Sequence, residues 1–251
     1  MMNFDFLKRR NISNNKPILL VCRNCGTKMN GPYCHLCGQS LFAGKESSHW
    51  RFFSNALSLF SVDFKIFRTI KLLLFYPGKL TKEYCQGHII RYEHPFKLFW
   101  FIVLLSFIYF SYKFDPNSKK LTGDTELNRL FISYLPYATL LLIPFFSFLL
   151  FSFFRKHNPI YSNNTVFALH FHAFLYVFFA VVLLISGLCI PVKWWLLSLI
   201  PYIYLLIAVY VFYKPKIIHL FLKVTFILII HTLAISILLF SFFIMIGTII
   251  H

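Results

Sequence analysis

A chain of 251 residues that is 58% hydrophobic, 20% aromatic and only 13% charged is too apolar for a soluble domain, where about a quarter of residues carry charge. Its formal net charge of +17 comes from 25 Lys and Arg against 8 acids, and no Asp or Glu follows Glu126. The second half therefore lacks side-chain carboxylates, which excludes an intramembrane aspartyl protease and most carboxylate-driven proton pumps from it.

The opening residues MMNFDFLKRRNISNN show no apolar run followed by a small-residue cleavage site, so no secretory signal is expected, and 1–20 read as a basic tail. Fifteen of the 25 cations lie between positions 8 and 97, ahead of or at the start of the first long apolar run. The positive-inside rule keeps that segment in the cytoplasm.

Residues 21–40 carry two C-x-x-C pairs, Cys22 with Cys25 and Cys34 with Cys37, each followed directly by a glycine, Gly26 and Gly38. Two residues between cysteines let both sulfurs reach one ion, and glycine supplies the positive φ of a tight knuckle. Four thiolates suit a closed tetrahedral zinc site, so a structural Zn(2+) is expected in a small four-cysteine zinc ribbon. Iron in a rubredoxin-like site is the second metal reading, and disulfides are disfavoured in a reducing compartment. His35 lies inside the second pair but outside a shell that four cysteines complete. A segment this short has no core of its own, so metal binding supplies its folding free energy.

The segment 41–95 reads as a basic amphipathic juxtamembrane region. Phe52, Phe53, Leu57, Phe60, Phe64, Phe67, Ile70 and Leu74 recur at helical spacing with Lys65, Arg68 and Lys71 among them. One reading lays this helix in the inner-leaflet interface, with Lys65, Arg68 and Lys71 toward anionic lipid headgroups; the other packs it on the protein's own spans. Pro77 and Gly78 stop it, KLTKEYCQG forms a short second helix ended by Gly87, and HIIRYEHPF leads into the bilayer.

Several fragments taken together resemble a bacterial family of uncharacterised inner-membrane proteins with an N-terminal zinc ribbon. They are C-x-N-C-G at Cys22, Y-C-x-x-C-G-Q at Tyr33, R-T-I-x-x-L at Arg68, P-G-K at Pro77, E-Y at Glu83, R-Y-x-x-P-F at Arg91 and, in TVFALHFHAFLYV, Leu-His-Phe-His at Leu169. The similarity covers about residues 20–180. Where that family carries a basic cluster such as G-K-R, this chain has Gly87, His88, Ile89 and Ile90 before Arg91. The resemblance implies a ribbon-bearing protein of the bacterial inner membrane and assigns no activity.

Five apolar runs follow, near 96–112, 130–154, 166–190, 194–213 and 224–250, for a hydrocarbon layer that takes about 20 helical residues to cross. The expected fold is thus an all-α polytopic membrane protein with about five transmembrane helices in 96–251. The inner and outer loops of that arrangement carry equal numbers of cations, so the basic head decides the orientation, amino terminus inside.

Ionisable groups within spans are functional candidates. Here they are His170, His172 and His231, with Cys189 near a span end. His170 and His172 point about 200° apart on one helix, so they cannot share an ion. His172 and His231, six and seven residues past Val166 and Val224, fall at one depth, roughly 9 to 10 Å in. Each imidazole is expected to bond a Ser, Thr or Tyr hydroxyl across a helix interface; the alternative is that His172 and His231, with His170 on a separate contact, line an inner-leaflet cavity for a proton, metal or lipid headgroup.

No H-E-x-x-H, G-x-S-x-G, Walker A or G-x-G-x-x-G motif is present, and no catalytic residue is assigned. Glu83, Glu93 and His94 form the one acid/base grouping near the interface, and they are expected to be solvated partners of Lys82 and Arg91. Nucleic acid is a disfavoured partner, because the ribbon offers only Arg23 and Lys28 and topology accounts for the other cations. The leading expectation is a ribbon that docks a cytoplasmic protein or the chain's own cytoplasmic face; the alternative is a small transporter or lipid-handling protein using the histidine-lined cavity. Oligomeric state is not legible.

Overall fold

The computed structural model describes residues 21–41, 65–113, 125–187 and 193–250. The basic tail, Phe52, Phe53, Leu57, Phe60, Phe64 and Cys189 lie outside them. Beyond the cysteine lobe the described chain is helical: α1 Lys65–Phe75, α2 Lys79–Cys85, α3 Pro95–Lys113, α4 Thr125–Phe154, α5 Tyr161–Gly187, α6 Trp194–Tyr213 and α7 Ile217–Ile250.

Three helices are long and apolar enough to cross a membrane, through Tyr161–Ile185, Trp195–Tyr213 and Ile217–Ser241. Pro95–Tyr109 and Leu140–Phe154 are shorter apolar stretches of α3 and α4. Among the described residues, three of the five expected crossings thus have a helix long and apolar enough to span.

Helix α5 is the axis of the assembly. Positions 166–174 are buried without a break, so that stretch of the helix is enclosed on all sides, and α5 packs against α1, α2, α3, α4 and α6. Of its apolar window 44% is buried, against 17% for α7, which turns Leu222, Phe226, Ile229, Leu233 and Ile237 outward. An outward apolar face of that extent suits lipid, which solvates it without cost.

The juxtamembrane helices are built into this bundle. Ile66, Thr69 and Leu73 of α1 are buried, while Lys65, Phe67, Arg68, Lys71 and Phe75 are exposed. The own-span packing expected as one reading accounts for the inner face, and the three cations named for lipid stand on the outer one. Helix α2 contacts both α5 and α6. At its entrance Gly78 has φ +76°, and a Cβ there would lie 2.5 Å from the Ala208 carbonyl oxygen of α6. Only glycine tolerates both the angle and the approach. The Tyr204 hydroxyl of α6 donates to the Leu73 carbonyl at 2.6 Å, satisfying a carbonyl at the end of α1. Pro95 opens α3 at the first helical position, where its missing N–H is no loss.

Candidate metal centre

The two cysteine pairs fold into two copies of one knuckle. In the first, the Cys22 N–H donates to the Thr27 carbonyl at 2.9 Å and the Gly26 N–H to the Cys22 carbonyl at 2.9 Å. In the second, Cys34 bonds Gln39 at 2.9 Å and Gly38 bonds Cys34 at 2.8 Å in the same sense. Gly26 at φ +77° and Gly38 at φ +74° close the turns, and the bridges Val21 to Lys28 and Tyr33 to Ser40 frame them. Cys22, Met29 and Cys34 are the buried apolar centre of this lobe.

Four Sγ atoms converge between the knuckles. Those of Cys22, Cys25, Cys34 and Cys37 all lie within 4.8 Å of one another, with Cys22 to Cys37 and Cys25 to Cys34 at 3.5 Å. A tetrahedron with 2.3 Å metal–sulfur bonds has edges of about 3.8 Å, so the donor set fits a four-coordinate ion. Metal ligation needs thiolates. The Thr27 hydroxyl beside Cys25 pulls its thiol down to about 6, and the Gln39 backbone N–H lowers Cys37. Burial pushes Cys22 up to about 11, an opposition that a cation at the centre removes. His35 is exposed, consistent with a shell completed by sulfur.

The lobe sits on the turn between α2 and α3, and both knuckles hold it. The Gln39 Nε2–H donates to the Gly87 carbonyl at 2.7 Å, and the Arg91 guanidinium donates to the Asn24 carbonyl at 2.9 Å. The aliphatic stem of Arg23 lies so close to Gly87 that a Cβ there would meet it at 3.0 Å. Gly87 itself has φ +102°. Asn24 stands between the first two cysteines and Gln39 two residues past the fourth, so each contact is one or two residues from a ligand. Sequence reasoning passed over Asn24, Gln39 and Gly87 in this role. For Gln39 the signal lay in the last letter of C-G-Q, which ligand spacing does not require; Asn24 accepts through its backbone carbonyl, which any residue would supply.

The three membrane histidines separate into two environments. His170 faces α2, with Nδ1 2.8 Å from the Thr81 hydroxyl. His172 faces the other way, toward Phe146 of α4 and His231 of α7, at ring-centroid distances of 5.3 and 5.4 Å. The helical angle between positions 170 and 172 explains this split. All three rings are buried.

Glu83, Glu93 and His94 take separate partners, which differ from the expected Lys82 and Arg91. Glu93 is buried and pairs with Lys97 at 2.8 Å, because the start of α3 brings the fourth residue onto the same face. Its backbone N–H donates to Thr69 Oγ1 at 3.0 Å. The Tyr92 hydroxyl donates to Glu83, and Arg91 is engaged by the lobe. Burial pushes His94 down to about 4, so its ring is neutral at physiological pH.

Comparison with known proteins returns one family, described as a protein of unknown function (DUF3667), whose model matches residues 63–107. No curated protein and no solved structure gives a significant match. The matched segment runs through α1, α2, the docking turn and the first part of α3, so what this chain shares with that family is the platform on which the cysteine lobe rests.

Proposed function

We propose that this is an integral protein of the bacterial inner membrane, crossing it five times with its amino terminus in the cytoplasm, and that its four-cysteine lobe binds zinc as a structural docking module. The observation that carries the reading is the two-knuckle grip on the 87–91 turn, made by residues close to the ligands. Zinc would be held by Cys22, Cys25, Cys34 and Cys37, and it supplies folding free energy rather than reactivity, since four sulfurs leave no open position. With one side of the lobe on the chain's own platform, Tyr33 and Leu36, 67% and 69% exposed, form the side on which a cytoplasmic protein would dock. On the same membrane face, Lys65, Arg68 and Lys71 meet anionic headgroups while Phe67 and Phe75 enter the interface.

The test separates metal from docking. Purified protein should carry one zinc per chain, and Gly87→Val should keep that zinc while raising hydrogen exchange across 21–41 and the 87–91 turn. Unchanged exchange sinks the docked-lobe reading; a metal-free wild type sinks the zinc. For topology, Lys119→Cys in a Cys189→Ser background should be labelled by a membrane-impermeant thiol reagent from outside the cell, and labelling only after lysis rejects the five-span arrangement.

A further inference from the structure

His172 and His231 come from helices far apart in sequence, and their rings meet edge to face at 81° deep in the bundle. His231 lies eight residues, roughly 12 Å, beyond Lys223 on α7. Relative exposures are 1% for His172 and 4% for His231. The Nδ1 of His172 is 2.8 Å from the Ala168 carbonyl oxygen. A carbonyl only accepts, so Nδ1 carries the proton and Nε2 presents its lone pair. That Nε2 and the Nδ1 of His231 are both buried without a hydrogen-bond partner. An unpartnered nitrogen inside an apolar helical bundle is costly; His170 Nε2 is a third such atom, but of the three only His172 and His231 bring theirs on rings in edge contact.

We propose that His172 and His231 form a two-nitrogen site for a soft univalent metal ion, of which copper(I) is the biological representative. Imidazole is a good copper ligand, and a metal-binding histidine characteristically gives its other N–H to a backbone carbonyl, as His172 does to Ala168. Charge decides against a divalent ion. The cost of burying an ion grows with the square of its charge, and no Asp or Glu follows Glu126 to neutralise it. Coordination number points the same way. Zinc, calcium and magnesium ask for four or more ligands, whereas His170, the third imidazole nearby in sequence, is turned away to Thr81. Phe146 packs against both rings, at 5.3 and 4.8 Å, and offers a π-system to a single positive charge.

The experiment uses the full-length, zinc-loaded protein in detergent, titrated with copper(I) under reductant against a competing chelator. Thiolates also take copper(I), so the site is read as a difference: wild type should retain one equivalent more than either His172→Gln or His231→Gln. His170→Gln should match wild type. X-ray absorption should show a nitrogen-only, two-coordinate fraction in wild type that both variants lose. Equal copper counts, or a sulfur-only spectrum, overturn the proposal, and so does a pair bridged by water alone, which takes up no copper. Should the variants fail to fold, the wild-type spectrum decides by itself.

Discussion

The cysteine lobe and the helical bundle meet the same requirement, burial of apolar surface, by opposite means. The lobe has a buried centre of Cys22, Met29 and Cys34, too little to hold a chain without ligation. The bundle has a continuous core running from Ile66 to Ile227, anchored by Phe99, Phe146, Phe154 and Phe167. On the proposed reading one region depends on a single ion, and the other rests on many small contacts. Perturbing each should therefore produce a different kind of failure, all-or-none in the lobe and graded in the bundle.

The largest effect is expected from Cys34→Ser. Metal binding to small zinc modules is worth about 10–16 kcal/mol, and three sulfurs hold much less of it. Zinc content should fall to near zero and exchange protection across 21–41 should vanish, while far-ultraviolet dichroism stays close to wild type. Collapse of the helical signal as well would mean that the bundle leans on the ion, and the contrast between regions would break.

In the bundle the sharpest test is Gly78→Ala. A methyl group 2.5 Å from the Ala208 carbonyl cannot be accommodated without moving α2 away from α6, and φ +76° adds backbone strain. The expected cost is about 3 kcal/mol or more, read as a lowered Tm in detergent with zinc retained. Next comes the buried pair of Glu93 and Lys97. Glu93→Gln alone should cost about 3 kcal/mol by leaving Lys97 charged and enclosed, whereas Glu93→Gln with Lys97→Met should lie much nearer wild type. A double variant as damaged as the single one would show that this region depends on the specific ion pair rather than on filled volume.

These cases also show what a sequence can and cannot disclose. The four cysteines were legible because ligand chemistry is local: two residues between sulfurs and a following glycine state the knuckle. The shared level of His172 and His231 was legible because helical rise is regular. The insertion of α2 was not, since K-L-T-K-E-Y-C has no apolar stripe and its place depends on Gly78 lacking a Cβ opposite a helix 130 positions away. Glu93 was assigned to the wrong cations for a related reason. Sequence proximity suggested Arg91, but Pro95 starts a helix that puts Lys97 one turn on, while the lobe claims Arg91. The grip, in which Gln39 and Arg23 meet Gly87 and Arg91 meets Asn24, needed a contact between two regions that each looked complete alone.

The smallest predicted effect bears most directly on whether lobe and bundle are two units or one. Gln39→Ala removes a buried 2.7 Å hydrogen bond to the Gly87 carbonyl while leaving in place the backbone bonds of residue 39 to Cys34 and Cys37. Such a bond contributes about 1 kcal/mol, and the freed Gly87 carbonyl can recover part of it from water that enters the space left by the amide. Zinc content and the bundle's Tm should both be unchanged. What should rise, about fivefold, is the exchange rate of lobe and turn amides that open only when the two separate, since a fivefold change corresponds to about 1 kcal/mol. An equal loss of protection throughout α1 and α2 would mean that separation and local unfolding of the platform are one event, so that an ion held by the lobe would be felt by α2, the helix against which His170 packs.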